Sequence, residues 1–199
     1  FSVIMSLVVI LLITNSFNLI DGVDGLAATI GIYSLFFFGI WFYQIELYQY
    51  SLLSFSLTGS LLAFLIYNAT PARIFMGDTG SLLIGLICSL LSIKFIEANR
   101  SLANDSLFKI FSGPVLAISI LIVPIFDTTQ VFLRRSLKMK SPFKADRNHI
   151  HHLLKDLNFS AMQICFILAL SSLITLLLSL FIRRLSPELN ILIIFTLCF

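Results

Sequence analysis

The sequence predicts an all-α, polytopic helical membrane protein. Of its 199 residues, 58% are hydrophobic and only 12% are charged, whereas soluble domains carry roughly 25% charged residues. The mean hydropathy is +1.01. Uncharged runs recur along the chain and reach or approach the ~20 residues that a bilayer-spanning helix needs. We therefore expect about seven transmembrane helices, the last one short, in one integral membrane domain over residues 1–199.

The expected helices follow the uncharged runs in order: Phe1–Ile20, Gly25–Ile45, Ser51–Thr70, Thr79–Ile93, Ile110–Phe126, Leu157–Ile182 and Leu189–Phe199. Glycine or proline lies at or near most connections between them, which is typical of helix ends. Pro114 and Pro124 instead lie inside the fifth run, where proline is expected to kink a helix. Phe1 opens within an apolar run that lacks the basic start of a signal peptide. We therefore expect a chain whose N-terminal part is missing.

The connections between spanning helices must alternate sides of the membrane. Three polar stretches then share one side: Asn15–Asp24, Asn68–Asp78 and Asp127–Lys155. Most of the basic residues lie on that side, namely Arg73, Arg134, Arg135, Lys138, Lys140, Lys144, Arg147 and Lys155. The positive-inside rule makes it cytoplasmic, with residues 131–160 as a basic, histidine-containing loop. A net charge of only +3 on so apolar a chain argues against nucleic acid as a partner.

The first polar stretch carries Asn15, Asn18, Asp21 and Asp24 at intervals of three residues. Such a row lines up along one side of a helix or of a tight loop that continues it. A carboxylate at the centre of a membrane helix costs roughly 2.5 to 3.5 kcal/mol, so an acid there is usually at a helix end, paired or functional. Gly22, directly after Asp21, allows the backbone to approach a ligand closely. Simple capping of the helix end is the alternative.

The second stretch places Asp78 between Gly77 and Gly80, just before an apolar run, with Arg73 nearby. One interpretation is that Asp78 caps the following helix. The other is that the glycines leave room for a metal-bound phosphate, to which Arg73 adds a cation.

The third stretch holds all three histidines of the chain, His149, His151 and His152, close to Lys144 and Arg147. Three neutral imidazoles suit zinc, but adjacent helix positions point in different directions, unlike the i, i+4 pair of zinc proteases. With two cations beside them, the histidines suit an anionic phosphate better. An ordinary surface loop is the alternative.

Together, the three stretches indicate a phosphoryl-transfer site. Carboxylates next to glycines favour a hard, oxygen-liking cation such as Mg²⁺. Histidine, arginine and lysine favour a phosphorylated substrate. At the surface of a helical membrane bundle, one substrate is expected from water and the other from the lipid.

Four segments in this order resemble the motifs of the polyprenyl-phosphate N-acetylhexosamine-1-phosphate transferases, glycosyltransferase family 4. The segments are NSFNLIDGVDGLAA (15–28), RIFMGDTGSLLIG (73–85), PIFDTTQVFLRR (124–135) and HIHH (149–152). The resemblance implies transfer of N-acetylhexosamine 1-phosphate from a UDP-sugar to undecaprenyl phosphate, with release of UMP. It also implies a bacterial cytoplasmic (inner) membrane enzyme that starts a lipid-linked polysaccharide such as lipopolysaccharide O-antigen or teichoic acid.

The same resemblance assigns roles to residues. It implies catalytic roles for Asp21, Asp24, Asp78, His149, His151 and His152, with Asp78 and Asp21 as ligands of Mg²⁺ or Mn²⁺. Asn18 is implied in the nucleotide and metal site. We expect the cations Arg73, Lys144 and Arg147 to bind substrate as well.

The histidine motif favours one branch of the family. His-x-His-His, with Ile150 in second place, resembles the GlcNAc-1-phosphate transferases, whereas the muramoyl-pentapeptide branch typically has three consecutive histidines. That branch remains an alternative. An ion-coupled transporter is another, since intramembrane acids are equally expected there, and a structural membrane subunit is a third. A homodimer is among the assemblies left open.

One departure from the family pattern concerns an Asp-Asp motif on an earlier cytoplasmic loop. No adjacent acidic pair occurs in this sequence. We expect the motif in a longer parent, with about ten or eleven transmembrane helices, and we expect this chain alone to be inactive.

Overall fold

The computed structural model describes residues 2–137, 149–182 and 187–198, and this part of the chain folds into helices joined by short connections. The helices are α1 (Val3–Ile20), α2 (Leu26–Gln44), α3 (Tyr48–Asn68), α4 (Gly77–Ser101), α5 (Gly113–Ile120), α6 (Ile122–Leu137), α7 (Ile150–Asp156), α8 (Ala161–Phe181) and α9 (Pro187–Cys198). The predicted all-α, polytopic class is confirmed.

Fewer helices are long enough to cross a membrane than the seven that the sequence predicts. Within the described residues, α1, α2, α3, α4 and α8 qualify, and α5 with α6 make a sixth if the bent pair counts as one span. The seventh run forms α9, which has 12 residues within the described part of the chain and is not among these candidates. In the other direction, α4 continues past the fourth uncharged run to Ser101 and includes Lys94 and Glu97, which pair on its surface at 3.0 Å.

A sharp bend of 83° separates α5 from α6. Pro124 causes it, because proline has no N–H to donate and its ring clashes with the carbonyl four residues earlier. That residue is Ile120, where α5 ends. Pro114 lies in the first turn of α5, where proline is tolerated. The kink predicted for the fifth run therefore forms at one of its two prolines.

The helix α2 is the most enclosed span and packs against both α3 and α4. Its C-terminal half carries an aromatic cluster in which the Trp41 ring lies 4.5 Å from Phe95 and 5.3 Å from Phe42, centroid to centroid. Trp41 Nε1 also donates a hydrogen bond to the Phe108 carbonyl at 3.2 Å. These contacts fix the end of the bundle that is remote from the three polar stretches.

The antiparallel helices α1 and α4 cross where Gly85 lies against Thr14. A Cβ atom at residue 85 would be 2.7 Å from the Thr14 Cα atom, so only glycine permits this approach. Small residues serve the same purpose at other membrane helix crossings. One turn further along, Asn18 on α1 reaches Ser81 on α4, with 3.1 Å between Asn18 Nδ2 and Ser81 Oγ. The crossing thereby aligns the polar end of α1 with the start of α4.

Candidate functional site

The first two polar stretches meet at one end of the bundle, as the alternation of helices predicts. Asn18 Nδ2 donates a hydrogen bond to Asp78 Oδ1 at 3.0 Å. The Ala72 N–H donates to Asp24 Oδ2 at 3.3 Å. The predicted proximity of these stretches is therefore confirmed.

The third stretch reaches the same end. His151 lies so close to Gly22 that a Cβ atom at residue 22 would be 2.7 Å from His151 Nε2. Gly22 does allow a close approach to the backbone, as the sequence predicts, but the group that approaches it is a histidine ring and not a ligand. All three polar stretches thus contribute residues to the same end of the bundle.

Asp21 directly follows α1 and is half-buried. A negative charge at a helix C-terminus opposes the helix dipole, so capping does not explain this residue. Burial, and to a smaller extent the negative charge of Asp78, raise the pKa of Asp21 to about 6. Two carboxylates that repel each other in this way are stabilised by a cation.

Asp78 lies in the first turn of α4 and is exposed. A negative charge is favourable at this end of a helix. The residue at the N-cap position is Met76, however, and α4 has no side-chain capping hydrogen bond. Asp78 therefore does not cap α4 as the alternative interpretation expected, and its carboxylate accepts from Asn18 instead.

Not all predicted site residues lie around one cavity. Asp24 accepts from the Ala72 N–H, and its carbonyl accepts from the Cys165 thiol at 3.4 Å, so it holds the turn after α1 against its neighbours. Arg73 and Asp78 are exposed and do not line the cavity described next. Lys144 and Arg147 lie outside the described residues.

A cavity of about 1040 Å³ lies between α1, α6 and the histidine segment. Its polar and charged wall consists of Asn15, Asn18, Asp21, Thr128, Thr129, Arg135, Ser136, His149, His151 and His152. Its apolar wall consists of Leu11, Leu12, Leu19, Val131, Phe132 and Leu133. Ligand pockets are typically about 300 to 1,000 Å³, so this one is large.

The three histidine rings lie close together on the polar wall. Ring centroids are 5.6 Å apart for His149 and His151 and 4.4 Å apart for His151 and His152. The expectation that adjacent histidines point apart is therefore wrong, because both line the cavity from the first turn of α7. Burial lowers the pKa of His151 to about 4, although the charge of Asp127 acts in the opposite direction. His151 is accordingly neutral near pH 7.

The donor set fits magnesium better than zinc. Among the described residues, no three His, Cys, Asp or Glu side chains are grouped so that they could hold a metal ion. Mg²⁺ needs fewer protein ligands, since it is usually bound by one or two carboxylates together with waters and substrate phosphates. Asp21 and Asp78 meet that requirement.

Three residues around the cavity have no role in the sequence prediction. Asp127 is fully buried, with Oδ2 2.8 Å from His149 Nδ1, and its Oδ1 accepts from the Ile150 N–H at 2.7 Å. Arg135 is nearly buried on the cavity wall. Thr128 Oγ1 is buried there with no hydrogen-bond partner in the described structure. The available signal was the segment PIFDTTQVFLRR, in which Asp127 follows directly on an uncharged run.

Comparison with known proteins agrees with the motifs. Residues 1–96 match the family model described as glycosyl transferase family 4. The chain is 43% identical over 143 residues to a probable undecaprenyl-phosphate N-acetylglucosaminyl 1-phosphate transferase of Bacillus subtilis (strain 168), covering 71% of this chain and 37% of the relative. It is 29% identical over 205 residues to the undecaprenyl-phosphate alpha-N-acetylglucosaminyl 1-phosphate transferase of Yersinia pestis, covering 100% of this chain and 54% of the relative.

A relative named for a different activity also matches. The phospho-N-acetylmuramoyl-pentapeptide-transferase of Clostridium perfringens (strain 13 / Type A) is 32% identical over 153 residues, covering 76% of this chain and 43% of the relative. The chain thus spans about half or less of the length of these relatives.

Proposed function

Because the chain belongs to glycosyl transferase family 4, we propose that it carries the transfer of N-acetylhexosamine 1-phosphate from a UDP-sugar to a polyprenyl phosphate. The acceptor is undecaprenyl phosphate, the lipid for which two bacterial relatives are named. The products are UMP and a lipid-linked diphosphate sugar, which starts a cell-envelope polysaccharide.

The cavity beside α1 is the observation that carries this proposal. Its apolar wall includes Leu11 and Leu133, which are 62% and 50% exposed, so a lipid chain can lie along it. Its polar wall holds Arg135 and the histidines, which suit phosphate groups, and Asp21, which suits a cation bound to them. An apolar wall joined to a phosphate-binding wall matches a lipid phosphate and a nucleotide sugar that meet at the membrane surface.

Asp21 and Asp78 would hold Mg²⁺, for which Mn²⁺ can substitute. The chemistry that such a cation supplies is neutralisation of the negative charge on the diphosphate. Asn18 orients Asp78 through its side-chain amide. Arg135, His151 and His152, which line the cavity, would contact the phosphate groups.

The proposed reaction is a direct displacement. An oxygen of the lipid phosphate attacks the β-phosphorus of the UDP-sugar, and the bond from that phosphorus to the oxygen bridging the two phosphates breaks. That bridging oxygen leaves with UMP. Such transfers depend mainly on positioning and charge stabilisation, which the polar wall provides.

GlcNAc 1-phosphate is the preferred group for transfer. The relative of 43% identity carries the N-acetylglucosaminyl name, whereas the muramoyl-pentapeptide relative is 32% identical. The His-x-His-His spelling at residues 149–152 agrees with this choice.

The site is proposed to face the cytoplasm of a bacterial inner membrane. Arg134 and Arg135, at the end of α6, lie at the site end of the bundle. Basic residues near membrane helix ends favour the cytoplasmic side. Cytoplasmic UDP-sugars would then reach the cavity directly.

The test measures UMP release that depends on polyprenyl phosphate and Mg²⁺, for this chain and for a longer protein that contains it. Asp78→Asn should lower turnover by about 10²-fold or more, since it removes a charged metal ligand. Asp105→Asn is the matched control, because Asp105 is exposed in the connection between α4 and α5, remote from the site. Near-native turnover of Asp78→Asn at saturating Mg²⁺ would refute the role of Asp78.

Assays with different substrates separate the alternative functions. Release of UMP from the UDP-muramoyl-pentapeptide but not from UDP-GlcNAc would assign the chain to the muramoyl branch. Ion-driven uptake into vesicles without UMP release would instead support the transporter.

A further inference from the structure

The buried pair Asp127 and His149 connects α6 to the start of α7. Asp127 Oδ2 lies 2.8 Å from His149 Nδ1, and the exposed fraction of the Asp127 side chain is 0%. Its second oxygen, Oδ1, accepts the Ile150 N–H at 2.7 Å. One carboxylate thus holds both the imidazole ring and the first backbone N–H of α7.

From this geometry we infer that Asp127 is a positioning residue, which fixes the tautomer of His149 so that its Nε2 lone pair is the atom offered to the cavity. A carboxylate can only accept hydrogen bonds, so the ring nitrogen beside it must carry the proton. In neutral imidazole the other nitrogen is then an acceptor. His149 lines the cavity, and Nε2 is the ring nitrogen that Asp127 leaves available.

The inference rests on the proposed function and adds a proton acceptor to it. The Nε2 atom accepts the proton of a monoprotonated lipid phosphate, which leaves a phosphate dianion as the nucleophile. The resulting imidazolium, next to the Asp127 carboxylate, later passes this proton to the released UMP. An aspartate that orients and supports a catalytic histidine in this manner is a known arrangement in hydrolases.

Asp127→Asn tests the tautomer with little change in shape. The amide has a single acceptor oxygen, whereas His149 Nδ1–H and the Ile150 N–H both require an acceptor. The amide oxygen stays with Ile150, whose N–H cannot accept, so the amide NH₂ turns toward Nδ1. His149 must then move its proton to Nε2, and the lone pair facing the cavity is lost.

The first readout is the tautomer itself, measured by ¹⁵N NMR of histidine-labelled protein in lipid bilayers. The His149 signals are assigned by their loss in His149→Gln. We expect the Nδ1–H form in the unmodified protein and the Nε2–H form in Asp127→Asn. An Nε2–H form in the unmodified protein, or no change in the variant, would overturn the inference whether or not the protein is active.

The second readout separates positioning from stability. In a longer protein that contains this chain, Asp127→Asn should lower kcat for UMP release by about 10²-fold, as expected for loss of a general base. The KM for the UDP-sugar should stay within about twofold, because an uncharged acceptor atom does not hold an anionic diphosphate. Asp127→Glu, which keeps a carboxylate, should recover part of kcat. Equal losses in kcat and KM, or no recovery with glutamate, would indicate a merely structural role.

Asp156→Asn provides the matched control, because Asp156 is exposed at the far end of α7 and does not line the cavity. It should leave the tautomer, kcat and KM unchanged. A tautomer that switches as expected in a longer protein that contains this chain but releases no UMP would refute the proposed function and retain the positioning of His149. If Asp127→Asn does not fold, the tautomer in the unmodified protein and the activity of Asp127→Glu still decide the inference.

Discussion

Single residues at this site are placed where they weaken the fold. Asp21 puts a negative charge at the C-terminal end of α1, close to the charge of Asp78. His151 is buried with Nδ1 lacking a hydrogen-bond partner within the described residues. A helical bundle gains nothing from these arrangements, whereas a bound cation and a bound phosphate would satisfy both.

The buried His151 predicts an acid-sensitive fold. Its pKa is lowered from 6.5 to about 4, so between these values the unfolded chain takes up a proton that the folded chain does not. Stability should therefore fall as the pH drops from about 6.5 toward 4. At pH 5 the loss is on the order of 1 to 2 kcal/mol. Thermal unfolding in detergent at pH 7 and pH 5, with and without His151→Gln, measures it.

The comparison with His151→Gln is needed because Asp21 acts in the opposite direction. The raised pKa of Asp21 means that its protonation favours the folded state below pH 6. Only the difference between the two proteins isolates His151. An equal loss of stability in both on going from pH 7 to pH 5 would contradict the prediction.

At the scale of helices, the crossing of α1 and α4 determines whether the two acidic segments meet. Gly85→Ala places a Cβ atom 2.7 Å from the Thr14 Cα atom, and a backbone neighbour cannot move aside as a side chain can. We expect the helices to separate, the Asn18 to Asp78 hydrogen bond to lengthen, and UMP release to fall by about tenfold or more.

Gly59→Ala is the control for the helix crossing. Gly59 lies on α3, and a Cβ atom there meets nothing within 4 Å. In a helix interior, alanine is favoured over glycine by about 1 kcal/mol, so this variant should be at least as stable as the unmodified protein. Activity of Gly85→Ala equal to that of Gly59→Ala would show that the close crossing is unimportant.

The helices could be predicted from the sequence to different degrees. Uncharged runs identify α1 to α4 and α8, because a helix that crosses the lipid must be apolar over about its whole length. The boundary of α4 is missed because a pair such as Lys94 and Glu97 can extend a helix beyond its apolar run. The bend at Ile120 depends on which of two prolines falls inside a helix and which begins one, and this is decided only when the helices pack.

The site residues, like the helices, could be predicted from the sequence only in part. The alternation of spans predicts that Asp21, Asp78 and the histidines share one end of the bundle, because this prediction depends only on counting the spans. Asp127 was missed, since its partner His149 lies 22 residues further along the chain and no spacing pattern links the two. Likewise, nothing in the sequence distinguishes Asp24, which binds backbone, from Asp21, which faces the cavity.

For the whole molecule, the alternation of helices makes the sidedness of the site testable. The connections around Glu46 and Asp105 lie at the opposite end of the bundle from Asp156, which follows the histidines. By the positive-inside rule, Arg134 and Arg135 make the site end the proposed cytoplasmic end. If that is correct, the two ends must differ in their access to reagents that cannot cross the membrane.

We therefore expect opposite labelling of two single-cysteine variants, made in a background in which the native cysteines are replaced by serine. Asp105→Cys should react with an impermeant maleimide in intact cells, and Asp156→Cys only after the membrane is permeabilised. Glu46→Cys, on the same side as Asp105, should follow Asp105→Cys and so tests whether α3 and α4 cross as a pair. The reverse pattern would move the site to the outer face, where cytoplasmic UDP-sugars cannot reach it, and the proposed donor would then have to be abandoned.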